Sequence, residues 1–526
     1  MYMITKYKFK LRAALLVLLV TLSSAPLSFA QKAEPKNNFP VRGFHLDLRI
    51  QVMTMPYLKE FAMKLSKAGM NTLVMEYEAT YPFQKHPMVS NRYAYSPEQI
   101  KEFIQYCSSI GIDVIPLQQS FGHVEYILRN YRYANLRESQ KDFSQVCPSK
   151  PELNHELFTD LFTELATGHP SKYIHIGGDE TYLLGQCPIC KKKADAEGKS
   201  KLYIDHIKML CDIVIKLGKR PLIWADIALK HPEAIKLLPK ETVFVDWNYG
   251  WELNKFGNLD NLLKSGYEIW GSPSLRSHPD NYFLTQWEKH FKNIRDFVPT
   301  ARKLGYKGMI MTSWSTSGIY SSVSESNTGD LVDLYAIRHV YPLTGFNILL
   351  AAYLEGVNGQ KPIDITKFIT SYCKDTYGFN KEQSERFWNA LKTAPYEVIN
   401  GKVVNKPDLS VQGLLDSVKL SAQVFHELKP LKNESEFAQY RLMTDIRVQY
   451  LTLQAIEKKV NEPGFTADQI YPMLKQLEDL IAKADTLNQQ FTALNKGYYH
   501  PAELETENQV RKARMQILYD RLSKSK

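Results

Sequence analysis

Short apolar runs alternate with amphipathic stretches along the first two thirds of the chain. Stretches such as 57–69 carry apolar residues at spacings of three and four and end on glycine, which predicts amphipathic helices. The apolar runs between them are short enough for buried strands. We predict eight strands, at 44–48, 72–77, 113–117, 173–177, 221–225, 242–247, 267–271 and 308–314.

The regular alternation of strands and helices determines the predicted fold class. It favours an α/β fold with a parallel sheet. Eight such units match a closed (β/α)8 TIM barrel better than an open doubly wound sheet, and no GxGxxG follows the first strand. We therefore predict a catalytic barrel over residues 31–344.

Strand signals fade from about residue 345 onward. The segments 436–460 and 467–491 instead carry apolar residues with helical periodicity. We expect an α-helical C-terminal domain over residues 345–526.

The first 30 residues have the pattern of a cleaved secretory signal peptide. Four bases precede an apolar run, and Ser28-Phe29-Ala30 supplies a small-residue cleavage site. The run is too short to cross a membrane, and no later stretch reaches the roughly 18 apolar residues that a span needs. The sequence predicts an exported protein, periplasmic or secreted after cleavage near Ala30, with no membrane span.

The formal charge of +10 changes little in this picture, because four of the bases fall in residues 1–30. The other bases are spread along the chain, apart from short runs such as Lys191 to Lys193. Without a basic patch, nucleic acid is excluded as an expected partner.

Six cysteines at irregular spacing do not indicate a disulfide scaffold. Cys187 and Cys190 form a CPIC motif. A zinc knuckle would need two more ligands, for which Cys147 and a nearby histidine are available, whereas a local disulfide suits an exported chain equally well. Both readings stay open, and the sequence assigns no metal ligand and no cofactor.

Acids and aromatic residues gather where the predicted strands end, which is where the active sites of such barrels lie. Carboxylates bind hydroxyls and transfer protons, while flat rings stack on pyranose faces, so this rim suits a sugar. The candidates are Glu76, Glu78, His123, Asp179, Glu180, Trp224, Trp247, Tyr249, Trp270 and Trp314.

Several motifs together resemble a known family. "FPVRG" at 39–43, "FGHVE" at 121–125, "HIGGDE" at 175–180 and Trp314 after the eighth strand are similar to glycoside hydrolase family 20, the β-N-acetylhexosaminidases. The resemblance covers roughly residues 40–340. Two stretches, "MEYEATYPF" and "VIPLQQSFGHVEYIL", are most similar to its hexosaminidase D-like branch.

The resemblance implies roles for individual residues. Glu180 becomes the general acid/base, and Asp179 orients and stabilises the substrate's 2-acetamido group. Arg42 becomes a ligand of sugar hydroxyls, and His123 supports the site. The pocket walls around the acetamido group and ring become Trp224, Trp247 and Trp314.

The chain departs from the family pattern in several places. Glu76 and Glu78 replace a paired Asp after the second strand, and Trp314-Ser315-Thr316 replaces Trp-Gly-Glu after the eighth. We also expect no counterpart of the family's N-terminal β domain, because few residues separate the predicted signal peptide from the first predicted strand. Either Tyr249 or Tyr282 is the tyrosine that hydrogen-bonds the acetamido oxygen.

The resemblance implies exo-acting hydrolysis of terminal β-linked N-acetylglucosamine or N-acetylgalactosamine. The substrate supplies the nucleophile through an oxazolinium intermediate, and Glu180 is expected to be protonated near neutral pH. The alternatives are an inactive glycan-binding barrel and an ordinary retaining glycosidase. The "GGDE" stretch also resembles a nucleotide cyclase motif, but Thr181 stands where phenylalanine belongs. The sequence leaves the sugar preference and the oligomeric state open.

Overall fold

The computed structural model describes residues 39–277, 280, 284–315 and 341–525. The predicted signal peptide and Tyr282 lie outside the described residues. The described residues from Phe39 onward form one compact unit. The boundary predicted at 344/345 within this unit stays a prediction.

Parallel strands close into a barrel, as predicted. Strand β1 pairs with β2 on one side and with β9 on the other, through Val41 opposite Gly308, and this pairing closes the sheet. The predicted eighth strand is β9, and the short β8 pairs beside it. The strands are β1 (Val41–Asp47), β2 (Thr72–Glu76), β3 (Asp113–Leu117), β4 (Tyr173–His175), β5 (Arg220–Trp224), β6 (Val243–Trp247), β7 (Glu268–Ser272), β8 (Ser274–Arg276) and β9 (Gly308–Ser313).

Amphipathic helices surround the barrel. The helix at 55–67 shows why: Leu58, Phe61, Ala62 and Leu65, at helical spacing, are all buried. The α-helices up to β9 are α1 (Met55–Lys67), α2 (Pro97–Ser109), α3 (Glu125–Leu128), α4 (Pro151–Gly168), α5 (Pro188–Glu197), α6 (Lys199–Lys216), α7 (Asp226–Lys230), α8 (Pro232–Ile235), α9 (Asp260–Leu263) and α10 (Trp287–Lys303). Short 3-10 turns occur at Glu78–Thr80 and Tyr131–Leu136.

The region after the barrel is helical, as predicted, apart from a small hairpin of β10 (Val398–Ile399) and β11 (Lys402–Val403). It packs on the barrel: the Tyr353 hydroxyl lies 3.0 and 2.8 Å from the carbonyl oxygens of Gly43 and Met309. Its α-helices are α11 (Asn347–Asn358), α12 (Ile365–Tyr377), α13 (Lys381–Leu391), α14 (Val411–Glu427), α15 (Glu434–Val460), α16 (Ile470–Asn495) and α17 (Pro501–Ser523), with 3-10 turns at Leu343–Phe346 and Ala467–Gln469.

Apolar and aromatic side chains fill the barrel interior. They form a cluster of their own, which includes Val74, Ile115, Leu222, Trp224 and Trp270. The strands thus form a packed core, and the open carboxyl rim is left for a ligand. Within the described residues, every helix is too short or too polar to cross a membrane.

Candidate active site

A two-glycine turn at the end of β4 brings two adjacent acids to one place. Gly177 and Gly178 have φ of 72° and 91°, a region that favours glycine. A Cβ on Gly177 would lie 2.0 Å from the Oε1 of Gln119, so a larger residue there would also force the Gln119 side chain to move. The chain leaves the strand direction at this turn, and Asp179 and Glu180 both face one cavity.

This cavity, of about 400 Å³, lies at the carboxyl rim of the barrel. Its volume falls within the range typical of small-ligand pockets, about 300–1,000 Å³. The structure brings seven of the predicted site residues together in its wall: His123, Asp179, Glu180, Trp224, Trp247, Tyr249 and Trp314.

His123 bridges the two acids. Its Nε2 lies 3.5 Å from Asp179 Oδ2 and 3.3 Å from Glu180 Oε2. Burial would lower the pKa of His123, but the charge of Asp179 and the contacts with both carboxylates outweigh burial and raise this pKa well above 6.5. In the free protein His123 therefore carries a proton between two carboxylates.

The protonation state of Glu180 differs from the expectation. Burial would raise the pKa of Glu180, but hydrogen bonding to His123, the charge of His123 and a hydrogen bond from Tyr182 bring it below 4.5. The Tyr182 hydroxyl donates to Glu180 Oε1 at 2.8 Å. The expectation of a protonated Glu180 is thus wrong for the free protein, because the sequence pattern did not show the cation that faces it.

Asp226, directly after β5, lies behind the acid pair. Its Oδ2 accepts from the backbone N–H of Glu180 at 3.4 Å, and its Oδ1 accepts from the Trp247 indole at 3.3 Å. Burial, with the nearby charge of Asp179, raises the pKa of Asp226 to about 7. Asp226 thus connects the turn after β4 to an aromatic wall of the cavity.

Aromatic rings form much of the rest of the cavity wall. The Trp314 indole donates to the Tyr249 hydroxyl at 2.7 Å, and the ring centroids of Trp224 and Trp314 lie 5.7 Å apart. Sequence reasoning missed Trp251 and Phe256, which extend this wall. These two residues follow β6 in a loop, where the strand pattern gives no signal.

Sequence reasoning also missed Arg49, which lines the cavity just beyond β1. Its Nη2 lies 3.4 Å from Glu76 Oε1 and 3.1 Å from Glu78 Oε1. Both glutamates are buried beneath Arg49, outside the cavity wall. The signal available in the sequence was an arginine two residues after Asp47, the last residue of β1.

Arg42 is not brought to the cavity, contrary to the prediction. It is the second residue of β1, roughly 16 Å from the carboxyl end of that strand at about 3.3 Å per residue. Its guanidinium donates to the carbonyl oxygens of Gly69, at 2.8 Å, and Phe39, at 2.9 Å. The prediction that Arg42 binds the sugar is corrected, because the FPVRG motif lies at the amino end of β1 and the cavity lies at its carboxyl end.

Trp270 also lies away from the cavity. It pairs in register with Gly308, the first residue of β9, so it belongs to the amino-terminal half of the barrel interior. A Cβ on Gly308 would lie 2.5 Å from the indole ring, which shows how tightly this tryptophan is packed. The prediction of a rim residue is corrected to a core residue.

The sequence of the barrel region is similar to the sequences of known proteins. Residues 39–326 match the sequence profile described as "Glycosyl hydrolase family 20, catalytic domain". The chain is 28% identical to Hexosaminidase D of Bos taurus over 302 residues, covering 54% of this chain and 87% of that protein. It is 27% identical to Hexosaminidase D of Homo sapiens over 347 residues, covering 62% and 71%.

Among solved structures, the chain is similar to a β-N-acetylhexosaminidase from Bacteroides fragilis. The two chains are 18% identical with a TM-score of 0.47, and the match covers 64% of this chain and 69% of that one. The family profile covers more than half of this chain. The chain therefore belongs to glycosyl hydrolase family 20 and is a glycoside hydrolase of the hexosaminidase D-like kind.

Proposed function

We propose that this protein is an exo-acting β-N-acetylhexosaminidase that releases terminal β-linked N-acetylglucosamine or N-acetylgalactosamine with retention. The observation that carries the proposal is that two consecutive carboxylates, Asp179 and Glu180, line one cavity. Ordinary glycosidases place their two carboxylates on either side of the bond, about 5 Å or more apart. Neighbours in sequence that share one histidine suit a different mechanism, in which the substrate supplies the nucleophile.

In this mechanism each acid has one task. Glu180 protonates the glycosidic oxygen as the bond to the anomeric carbon breaks. Asp179 accepts the N–H of the 2-acetamido group, and the carbonyl oxygen of that group attacks the anomeric carbon to form an oxazolinium. Glu180, now a carboxylate, takes a proton from the water that opens the ring, so the configuration is retained.

The proton that Glu180 needs is stored on His123 in the free protein. A bound sugar excludes water and weakens the solvation of the Glu180 carboxylate, which raises its pKa. The proton then passes from His123 Nε2 to Glu180 Oε2, across the 3.3 Å that separates them. The pair holds one proton before and after this transfer.

The remaining walls supply binding. Trp224, Trp247 and Trp314 offer ring faces to a pyranose, and the Tyr249 hydroxyl is the candidate donor to the acetamido oxygen. Arg49 takes the hydroxyl-binding role that the sequence assigned to Arg42. A cavity of about 400 Å³ has room for one terminal residue of a glycan, which supports exo action.

The test compares aryl β-glycosides that carry a 2-acetamido group with matched 2-hydroxy glycosides, in both the gluco and galacto series. We expect turnover of the 2-acetamido compounds and almost none of the 2-hydroxy compounds. Similar rates on both would support an ordinary two-carboxylate glycosidase. Binding of N-acetylhexosamine without release of the aryl group would support an inactive glycan-binding barrel.

The predicted signal peptide supports action outside the cytoplasm.

A further inference from the structure

A cluster of three cysteines and one glutamate lies outside the catalytic cavity. The side-chain ligand atoms of Glu138, Cys147, Cys187 and Cys190 all lie within 4.8 Å of one another. The Sγ of Cys147 is 3.5 Å from that of Cys187 and 3.4 Å from that of Cys190. The sequence joined two of these cysteines in one motif, and the fold adds Cys147 and Glu138.

The sulfur spacing fits one metal ion. Zn–S bonds of about 2.3 Å in tetrahedral geometry place sulfur atoms about 3.8 Å apart. The two Sγ separations, 3.5 and 3.4 Å, are within a few tenths of an ångström of that value. A disulfide would join only two of the three thiols and leave the third unused beside it, whereas a metal ion uses all three.

Glu138 provides an independent sign of a cation. Its side chain is 3% exposed. Its Oε1 accepts from the backbone N–H groups of Gln186 and Cys187, each at 2.8 Å, while its Oε2 is buried and has no hydrogen-bond partner among the described residues. A buried carboxylate oxygen without a partner is costly, and a metal ion among the three neighbouring sulfur atoms would satisfy it.

The backbone of the CPIC motif is already arranged for a thiolate ligand. Cys187 precedes the first turn of α5, and its Sγ accepts from the backbone N–H of Cys190 at 3.3 Å. Hydrogen bonds to the charged form of a group stabilise that form. The motif therefore presents both of its sulfur atoms on one side of a rigid helix start.

We propose that Cys147, Cys187, Cys190 and Glu138 Oε2 bind one Zn²⁺ ion in a closed tetrahedral site. Binding displaces the protons of the three thiols, so the site forms as three thiolates and one carboxylate around the ion. Four protein ligands leave no position for water or substrate, so the ion is structural and takes no part in the chemistry.

The position of the site gives the ion a task. Cys147 belongs to the segment after β3, which also carries His123, and Cys187 and Cys190 belong to the segment after β4, which also carries Glu180. The two segments also contact each other through the charged pair of His123 and Glu180 and through hydrogen bonds, such as the one from the Leu183 N–H to Gln145 Oε1 at 3.0 Å. The ion would fasten both segments and so hold the spacing between His123 and Glu180.

The experiment measures metal bound to the purified full chain, expressed in zinc-supplemented medium and dialysed. We expect one zinc per chain in the wild type and in the control Cys373→Ala, which alters another buried free cysteine far along the chain. Cys147→Ser and Cys190→Ser should retain less than a tenth of an equivalent, and Glu138→Gln should bind zinc more weakly against a competing chelator. Cobalt exchanged into the wild type should show thiolate-to-metal charge transfer and the strong visible bands of tetrahedral coordination.

If the serine variants do not fold, the wild type alone decides. A mercurial reagent that titrates the thiols should release one zinc as three thiols react. A zinc-free wild type, cobalt without sulfur charge transfer, or a peptide map with a disulfide between any two of the three cysteines would each overturn the proposal. None of these readouts depends on glycosidase activity, so the metal site and the proposed function can fail separately.

Discussion

The two arginines near β1 provide a direct test of which end of the barrel binds the sugar. Arg49 lines the cavity, whereas Arg42 donates to backbone carbonyls at the opposite end of the strand. We expect Arg49→Lys to weaken binding of the terminal sugar. The matched change Arg42→Lys should leave binding nearly unchanged.

The size of the effect follows from the contacts. Lysine keeps the positive charge that Glu76 and Glu78 require, so the buried carboxylates are not left unpaired. It loses the planar fork that can bind two neighbouring hydroxyls. A hydrogen bond to a charged group contributes about 1.5–3 kcal/mol, so the loss of one should lower kcat/KM by about 10- to 150-fold.

The assay is steady-state hydrolysis of an aryl N-acetylhexosaminide, together with the inhibition constant of N-acetylglucosamine. Thermal unfolding of both variants separates a binding defect from a folding defect. Arg42→Lys should affect only stability, because its guanidinium contacts join the amino end of β1 to neighbouring backbone. A large loss of sugar affinity in Arg42→Lys, with Arg49→Lys near wild type, would show instead that Arg42 binds the sugar and Arg49 does not.

Three further predictions concern the proton shared by His123 and Glu180. In the wild type, kcat/KM should be constant over the pH range in which the pair holds one proton. This range begins at the pKa of Glu180, below 4.5, and ends at the pKa of His123, above 6.5. His123→Gln should move the alkaline limb to lower pH, because activity then falls as Glu180 itself loses its proton; an unmoved limb in the pH–rate profile would contradict the proton store. Glu180→Gln should lower turnover by about 10² to 10⁴ for poor leaving groups and much less for activated ones. Equal losses on both kinds of aryl glycoside would remove Glu180 from the acid role.

The sequence predicted the barrel well because its strands are buried on both faces. Such strands appear as continuous apolar runs, and each of the eight runs became a barrel strand. The acid pair after β4 was also predictable, since Gly177-Gly178 marks a turn at a strand end. These features depend on local pattern, which a sequence displays directly.

The errors share one physical cause, which is contact between distant segments. The roles of Arg42 and Arg49 depend on where β1 begins relative to its neighbours. Trp270 is a core residue because its indole ring packs closely against Gly308 of β9. The ionisation of Glu180 depends on His123 from another segment. Glu138 is 49 residues from Cys187, and nothing in its local sequence connects it to the CPIC motif.

Whether the substrate's own acetamido oxygen attacks the anomeric carbon can be measured with one series of substrates. Aryl glycosides whose acetamido methyl carries none, one, two or three fluorine atoms differ mainly in the electron density of that oxygen. We expect a steep, steady fall in kcat/KM along the series, because each fluorine weakens the nucleophile. Rates independent of fluorine content, together with a sugar trapped covalently on a carboxylate of the protein, would contradict it.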